Sequence, residues 1–187
     1  QQTSCSPGSY APPPGMGACM QCEPGSYQDA IAATACLACP EGFYCLAGAS
    51  AALPCPAGSY SSAVNSTACA ACRAGGYCAE PGASSASVFT PCAAGTWSGA
   101  EGANSTATCQ NCSAGSYSSA TGATDATDCR ACRKGSFCPE GSAEPRPCPS
   151  GSFQDESGAT ACFVCTAGAY CDEGATMPLP CPSGHHQ

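Results

Sequence analysis

One short phrase recurs eleven times along the 187 residues: a cysteine, a glycine three residues on and an aromatic ring five residues on. The opening cysteines are Cys5, Cys22, Cys39, Cys55, Cys72, Cys92, Cys112, Cys132, Cys148, Cys165 and Cys181. Their glycines are Gly8, Gly25, Gly42, Gly58, Gly75, Gly95, Gly115, Gly135, Gly151, Gly168 and Gly184. The rings are Tyr10, Tyr27, Tyr44, Tyr60, Tyr77, Trp97, Tyr117, Phe137, Phe153 and Tyr170, and the eleventh place is His186. Such self-similarity marks a tandem-repeat architecture in which each copy contacts mainly its neighbours. The repeats are numbered 1 to 11 here by their opening cysteines.

The other ten cysteines close the repeats. Six repeats are long, closing at Cys19, Cys36, Cys69, Cys109, Cys129 and Cys162; four are short, closing at Cys45, Cys78, Cys138 and Cys171. Two residues follow each long repeat before the next opening cysteine. A spacer ending in proline follows each short one. A short plus a long repeat gives a 33-residue super-repeat, from Cys39 to Cys72 and again from Cys132 to Cys165, with one extra long repeat (Cys112 to Cys129) between. The organisation reads as 1–38, two long repeats; 39–71, a super-repeat; 72–131, one short and two long repeats; 132–164, a super-repeat; and 165–187, a short repeat and the opening of an eleventh.

Such a chain cannot rest on an ordinary core. Leu, Ile, Val and Phe together number 13, against 36 Ala and 21 Cys. Ala buries little area, so at about 25 cal/mol per Å² a large apolar core is not available. Covalent cross-links replace it, and they imply an oxidising compartment, secreted or at a cell surface. The N-terminus QQTSCSPGSY has neither a basic start nor an apolar run, so the chain reads as mature or excised. No apolar stretch approaches the roughly 20 residues of a membrane span.

Sequence alone leaves the disulfide connectivity open. If each repeat folds by itself, the simplest rule joins neighbours: Cys5–Cys19, Cys22–Cys36, Cys39–Cys45, Cys55–Cys69, Cys72–Cys78, Cys92–Cys109, Cys112–Cys129, Cys132–Cys138, Cys148–Cys162 and Cys165–Cys171. Cys181 is then unpaired in this chain. It suggests a longer repeating polypeptide, or else a covalent link between subunits. The competing reading is metal: Cys19, Cys22, Cys36 and Cys39 have near-zinc-ribbon spacing. Against it, the pattern runs on into cysteines of the next repeats, and the only histidines, His185 and His186, are terminal.

The phrases Cys22-Glu23-Pro24-Gly25-Ser26-Tyr27 with Cys36, and Cys55-Pro56-Ala57-Gly58-Ser59-Tyr60 with Cys69, resemble the ephrin-receptor-like cysteine-rich repeats of extracellular proteins. More distantly they resemble the half-modules of TNF-receptor cysteine-rich domains. The second resemblance implies first-to-second pairing in the long repeats; the short ones depart from it. The fold class expected is a small disulfide-rich repeat protein, an elongated rod of tandem short irregular β-hairpins with almost no helix. The glycine is expected in a turn, where the backbone needs positive φ or close approach.

Remaining features are local. Asn65-Ser66-Thr67, Asn104-Ser105-Thr106 and Asn111-Cys112-Ser113 are N-glycosylation sequons, the third the weakest because it adjoins a bridge. Pro12-Pro13-Pro14 suits hydroxylation in a plant-like source. Glu41, Glu80, Glu140, Asp172 and Glu173 recur around the short repeats; a calcium role would require several carboxylates to converge, and a solvated face is the plainer reading. No cofactor, metal, membrane span or small-molecule substrate is expected, and no catalytic set is identifiable. Net charge is −8 with five basic residues, Arg73, Arg130, Arg133, Lys134 and Arg146, which excludes a nucleic-acid footprint. The sequence suits a structural component of an extracellular assembly (filament, flagellar hair, wall or sheath), glycosylated, with copies of itself or sibling repeat proteins as partners. The alternative is a receptor or adhesin ectodomain, for which Phe43, Phe89, Phe163, Leu37, Leu46, Leu53 and Val88 are the apolar residues outside the frame.

Overall fold

The computed structural model describes residues 4–13 and 18–181. Gly184, His185, His186 and Pro14 lie outside the described residues, so the eleventh repeat is described only at Cys181.

Among the described residues nine repeats begin with the same hydrogen-bonded turn, and in repeat 5 residues 74–75 form a bend at that place. In repeat 2 the N–H and hydroxyl of Ser26 both donate to the carbonyl of Glu23, at 3.0 and 2.7 Å. Gly25 is the third residue of that turn, with φ +86°, and Pro24 the second. Those are the demands of a type II turn: φ > 0 at the third place, and proline's fixed φ at the second. The turn launches a two-residue strand, Ser26–Tyr27, which pairs antiparallel with Leu37–Ala38. The hairpin closes when the N–H of Cys39 donates to the carbonyl of Gly25, at 2.9 Å. Ten two-stranded hairpins follow this plan among the described residues, with three short 3-10 turns and no α-helix. The second strand always lies just ahead of the next opening cysteine, so one repeat's hairpin runs up to the start of the next.

Successive repeats are joined through backbone. In the first of two compact bodies (1–73, 77–90 and 101–105), the N–H groups of Gly8, Gly25, Gly42 and Gly58 donate to the carbonyls of Gln28, Cys45, Ser61 and Cys78. Each acceptor is the sixth residue after an opening cysteine. In the second body (74–76, 91–100 and 106–187), Gly75, Gly95, Gly115, Gly135 and Gly151 donate in the same register to Ser98, Ser118, Cys138, Gln154 and Cys171.

The interior is sulfur and alanine. Twelve cysteines are under 2% exposed, and Ala83, Ala103 and Ala123 are buried beside them. The frame rings are only half-buried. Bridges join Cys5–Cys19, Cys22–Cys36, Cys39–Cys45, Cys55–Cys69, Cys72–Cys78, Cys92–Cys109, Cys112–Cys129, Cys132–Cys138, Cys148–Cys162 and Cys165–Cys171. By chain entropy each contributes about 2–3 kcal/mol, more for the longer loops.

A single rule underlies long and short repeats. The opening cysteine is bridged either to the sixth residue after it or to the third residue before the next opening cysteine. Where the bridge takes the later place, the sixth residue is Ala11, Gln28, Ser61, Ser98, Ser118 or Gln154. Where it takes the earlier one, the later place holds Ala52, Phe89, Pro145 or Pro178. The sixth position is buried in either case wherever it is cysteine, glutamine or serine. Its side chain therefore needs a partner. Gln28 donates from Nε2 to the carbonyl of Ala35 at 2.7 Å and accepts from the N–H of Ala30 at 2.9 Å. Gln154 repeats this with Ala161 and Glu156. The polar clasp and the disulfide are two solutions to one requirement, holding the loop against the hairpin.

Candidate interaction surface

The frame leaves one regular feature at the surface, the ring and its cross-strand neighbour. In the first body Tyr10, Tyr27, Tyr44 and Tyr60 stand opposite Met20, Leu37, Leu53 and Ala70. In the second, Trp97, Tyr117, Phe137, Phe153 and Tyr170 stand opposite Gln110, Arg130, Arg146, Phe163 and Leu179. Met20, Leu37, Leu53, Phe163 and Leu179 are all exposed. Cross-strand pairing accounts for their apolar character, since a side chain opposite a ring gains contact even when its outer face is wet. Phe153 and Phe163 show this with ring centres 5.9 Å apart.

The sequons differ in surroundings. Asn65 and Asn104 are both exposed. Asn65 has φ +61°, and its N–H donates to the carbonyl of Cys39 at 2.8 Å, so its backbone is engaged while its side chain is outward in solvent. Asn111 lies in a strand beside bridged Cys112, and its amide donates to Glu140 Oε1 at 3.1 Å.

Four cysteines with zinc-ribbon spacing are divided among three bridges: Cys19 with Cys5, Cys22 with Cys36, and Cys39 with Cys45. Among the described residues no group of three or more His, Cys, Asp or Glu side chains gathers to hold a metal ion. Glu41, Glu80, Glu140, Asp172 and Glu173 are exposed. Asp125 is the one carboxyl held below its ordinary range, chiefly by the backbone N–H of Thr127. It caps the 3-10 turn Ala126–Asp128, a structural duty. Cys181 is a free, half-exposed thiol among the described residues.

Sequence reading missed two things. One is a second set of positive-φ positions: Gly48, Gly82, Gly102, Gly122, Gly141, Gly158 and Gly174, joined by Ala32 and Asn65. Each sits nine or ten residues after an opening cysteine, a recurrence visible in the sequence had the variable loops been aligned on the cysteines. The other is the meeting of Arg73 with Phe89, whose guanidinium carbon lies 4.4 Å from the ring centre. Sixteen residues apart, on no shared period, they carry no signal in the sequence.

A frame of bridged cysteines, type II turns and two-residue hairpins has a counterpart among known families. Residues 8–50 match the tyrosine-protein kinase ephrin type A/B receptor-like family. No curated protein matches the chain. The ephrin-receptor-like stretch spans repeat 1 to the tail of repeat 3, under a quarter of the chain. Beyond that stretch, repeats 4 to 10 keep the same hairpin and bridging rule. Ten disulfides and an ephrin-receptor-like module point to an extracellular setting. Among the described residues no helix is long and apolar enough to cross a membrane.

Proposed function

We propose that the chain is a structural component of an extracellular assembly, such as a filament, flagellar hair, wall or sheath, with copies of itself or sibling repeat proteins as partners. The observation that carries this reading is the repeat-to-repeat joint. It runs from a glycine N–H to a backbone carbonyl and uses no surface side chain. A joint of that kind serves any number of repeats and leaves the outer side chains free for lateral contacts. N-linked glycans on Asn65 and Asn104 belong to the same reading, and no catalytic role is assigned.

Negative-stain microscopy of the native material tests it. Long regular fibres containing the chain are expected; isolated particles that capture a soluble partner would sink the assembly reading.

A receptor or adhesin ectodomain is the second reading. It is favoured by the match of residues 8–50 to a receptor-like family and by the cation–ring pair Arg73–Phe89 outside the frame.

A further inference from the structure

Repeat 5 breaks the pattern in one respect. From Cys72 to Cys92 it is as long as repeats 6 and 7, yet its bridge goes to Cys78. Phe89 therefore stands where Cys109 and Cys129 close those repeats. It is half-buried, and the guanidinium of Arg73 lies over its ring at 4.4 Å. Beside this stack is a cleft of about 320 Å³, completed by Tyr60, Ala71, Ala86 and the Cys72–Cys78 bridge.

Stacking uses the face of a guanidinium and leaves its N–H edge available. Among the described residues no carboxylate pairs with Arg73, whose guanidinium lies over the Phe89 ring. Arg73 is also the only Arg or Lys of the first body. Resting on Phe89, next to a rigid bridge, the guanidinium is oriented before any ligand arrives, which lowers the entropy cost of a two-point hydrogen bond. The neighbouring walls are ring, methyl and sulfur.

We propose that this cleft binds a carboxylate carried on an apolar group, the carboxylate on the Arg73 edge and the apolar part between Tyr60 and Phe89. Net charge −8 gives the chain no general attraction for anions, so such binding depends on this one cation. The proposal is independent of the assembly reading: a fibre subunit and a receptor ectodomain can each carry it. If Arg73 merely shields Phe89 from water, its edge binds nothing and a charged probe gains no advantage over a neutral one.

The test is a chemical-shift titration of the oxidised 187-residue chain with 4-phenylbutyrate, and with 4-phenylbutyramide as uncharged control. The acid is expected to move the Arg73 side-chain N–H, Ala86 and Phe89 signals and to bind about fivefold more tightly than the amide, the upper range for a partly exposed ion pair. In Arg73→Gln the two probes bind alike, and Phe89→Ala weakens both. Equal binding to the unaltered chain, or an acid preference that survives Arg73→Gln, overturns the proposal. A pair of short peptides then separates the sources, one with Phe next to a free C-terminus, the other with Phe-Glu and an amidated end. Preference for either over its fully amidated, glutamine-containing control supports the proposal and names the source; preference for neither overturns it.

Discussion

Gly58 and Gly102 are in backbone contact although a whole repeat lies between theirs: a Cβ added to Gly58 would fall on the carbonyl oxygen of Gly102. Gly58 also has φ +88°, so the site demands glycine twice over, for conformation and for space. Gly102, at φ +69°, demands it once, because its own Cβ would meet nothing nearer than 3.8 Å.

That asymmetry predicts graded costs. Gly58→Ala is expected to cost about 3 kcal/mol or more, combining left-handed strain with displaced backbone. Gly102→Ala and Gly151→Ala, where space is open, are expected to cost about 1–2 kcal/mol. Ala32, an alanine at φ +55°, gives the converse: Ala32→Gly is expected to stabilise by up to about 1 kcal/mol. Urea unfolding of the oxidised variants measures all four. Equal costs for Gly58→Ala and Gly102→Ala would remove the close-contact argument.

The two closing places are predicted to be interchangeable within one repeat. In the double variant Cys78→Ser, Phe89→Cys, repeat 5 acquires the pattern of repeats 6 and 7 and is expected to bridge Cys72 to the new cysteine. Peptide mapping without reduction reads the result. Scrambled bridges, or a free thiol at both positions, would show that the exchange rule is only a coincidence of spacing.

Gln28 is predicted to clasp its loop as a disulfide does in the short repeats. It is buried and uses both ends of its amide. Gln28→Ala removes its hydrogen bonds to the N–H of Ala30 and the carbonyl of Ala35, at about 0.5–1.5 kcal/mol each. Hydrogen exchange should rise at Ala30 and stay unchanged in repeat 9, where Gln154 makes the same bonds.

Secretion from a eukaryotic host is expected to yield glycan on Asn65 and Asn104 and none on Asn111. Enzymatic deglycosylation converts each occupied Asn to Asp, and mass spectrometry locates it. Occupancy at Asn111, whose amide is bound to Glu140, would contradict the assignment.

Asp125 is predicted to titrate below 3.8 in the folded chain. A folded-state pKa below the unfolded one gives stabilisation that is fully present above the unfolded value and lost as pH falls through the folded value. Protection of the Thr127 amide should therefore hold above about pH 4 and decline in more acidic solution. In Asp125→Ala that pH dependence should vanish.

The sequence by itself determined the parts that are local or periodic. The turn was legible because a type II turn demands glycine at its third place, and eleven repeats wrote it at the same distance from a cysteine. Hairpins and the lack of an apolar core followed from loop-forming composition and from 13 large aliphatic and Phe residues in 187. Tertiary structure decided whatever depends on one repeat meeting another. Gly58 requires glycine for space because Gly102 arrives beside it, a fact absent from repeat 4 alone. The second positive-φ set tolerates Asn65 and Ala32 because strain about one bond costs little where no backbone intrudes, and that tolerance blurred the signal. The closing place of each repeat was written in its cysteine positions, but the stacking of Arg73 on Phe89 came from through-space proximity, which a one-dimensional spacing does not encode.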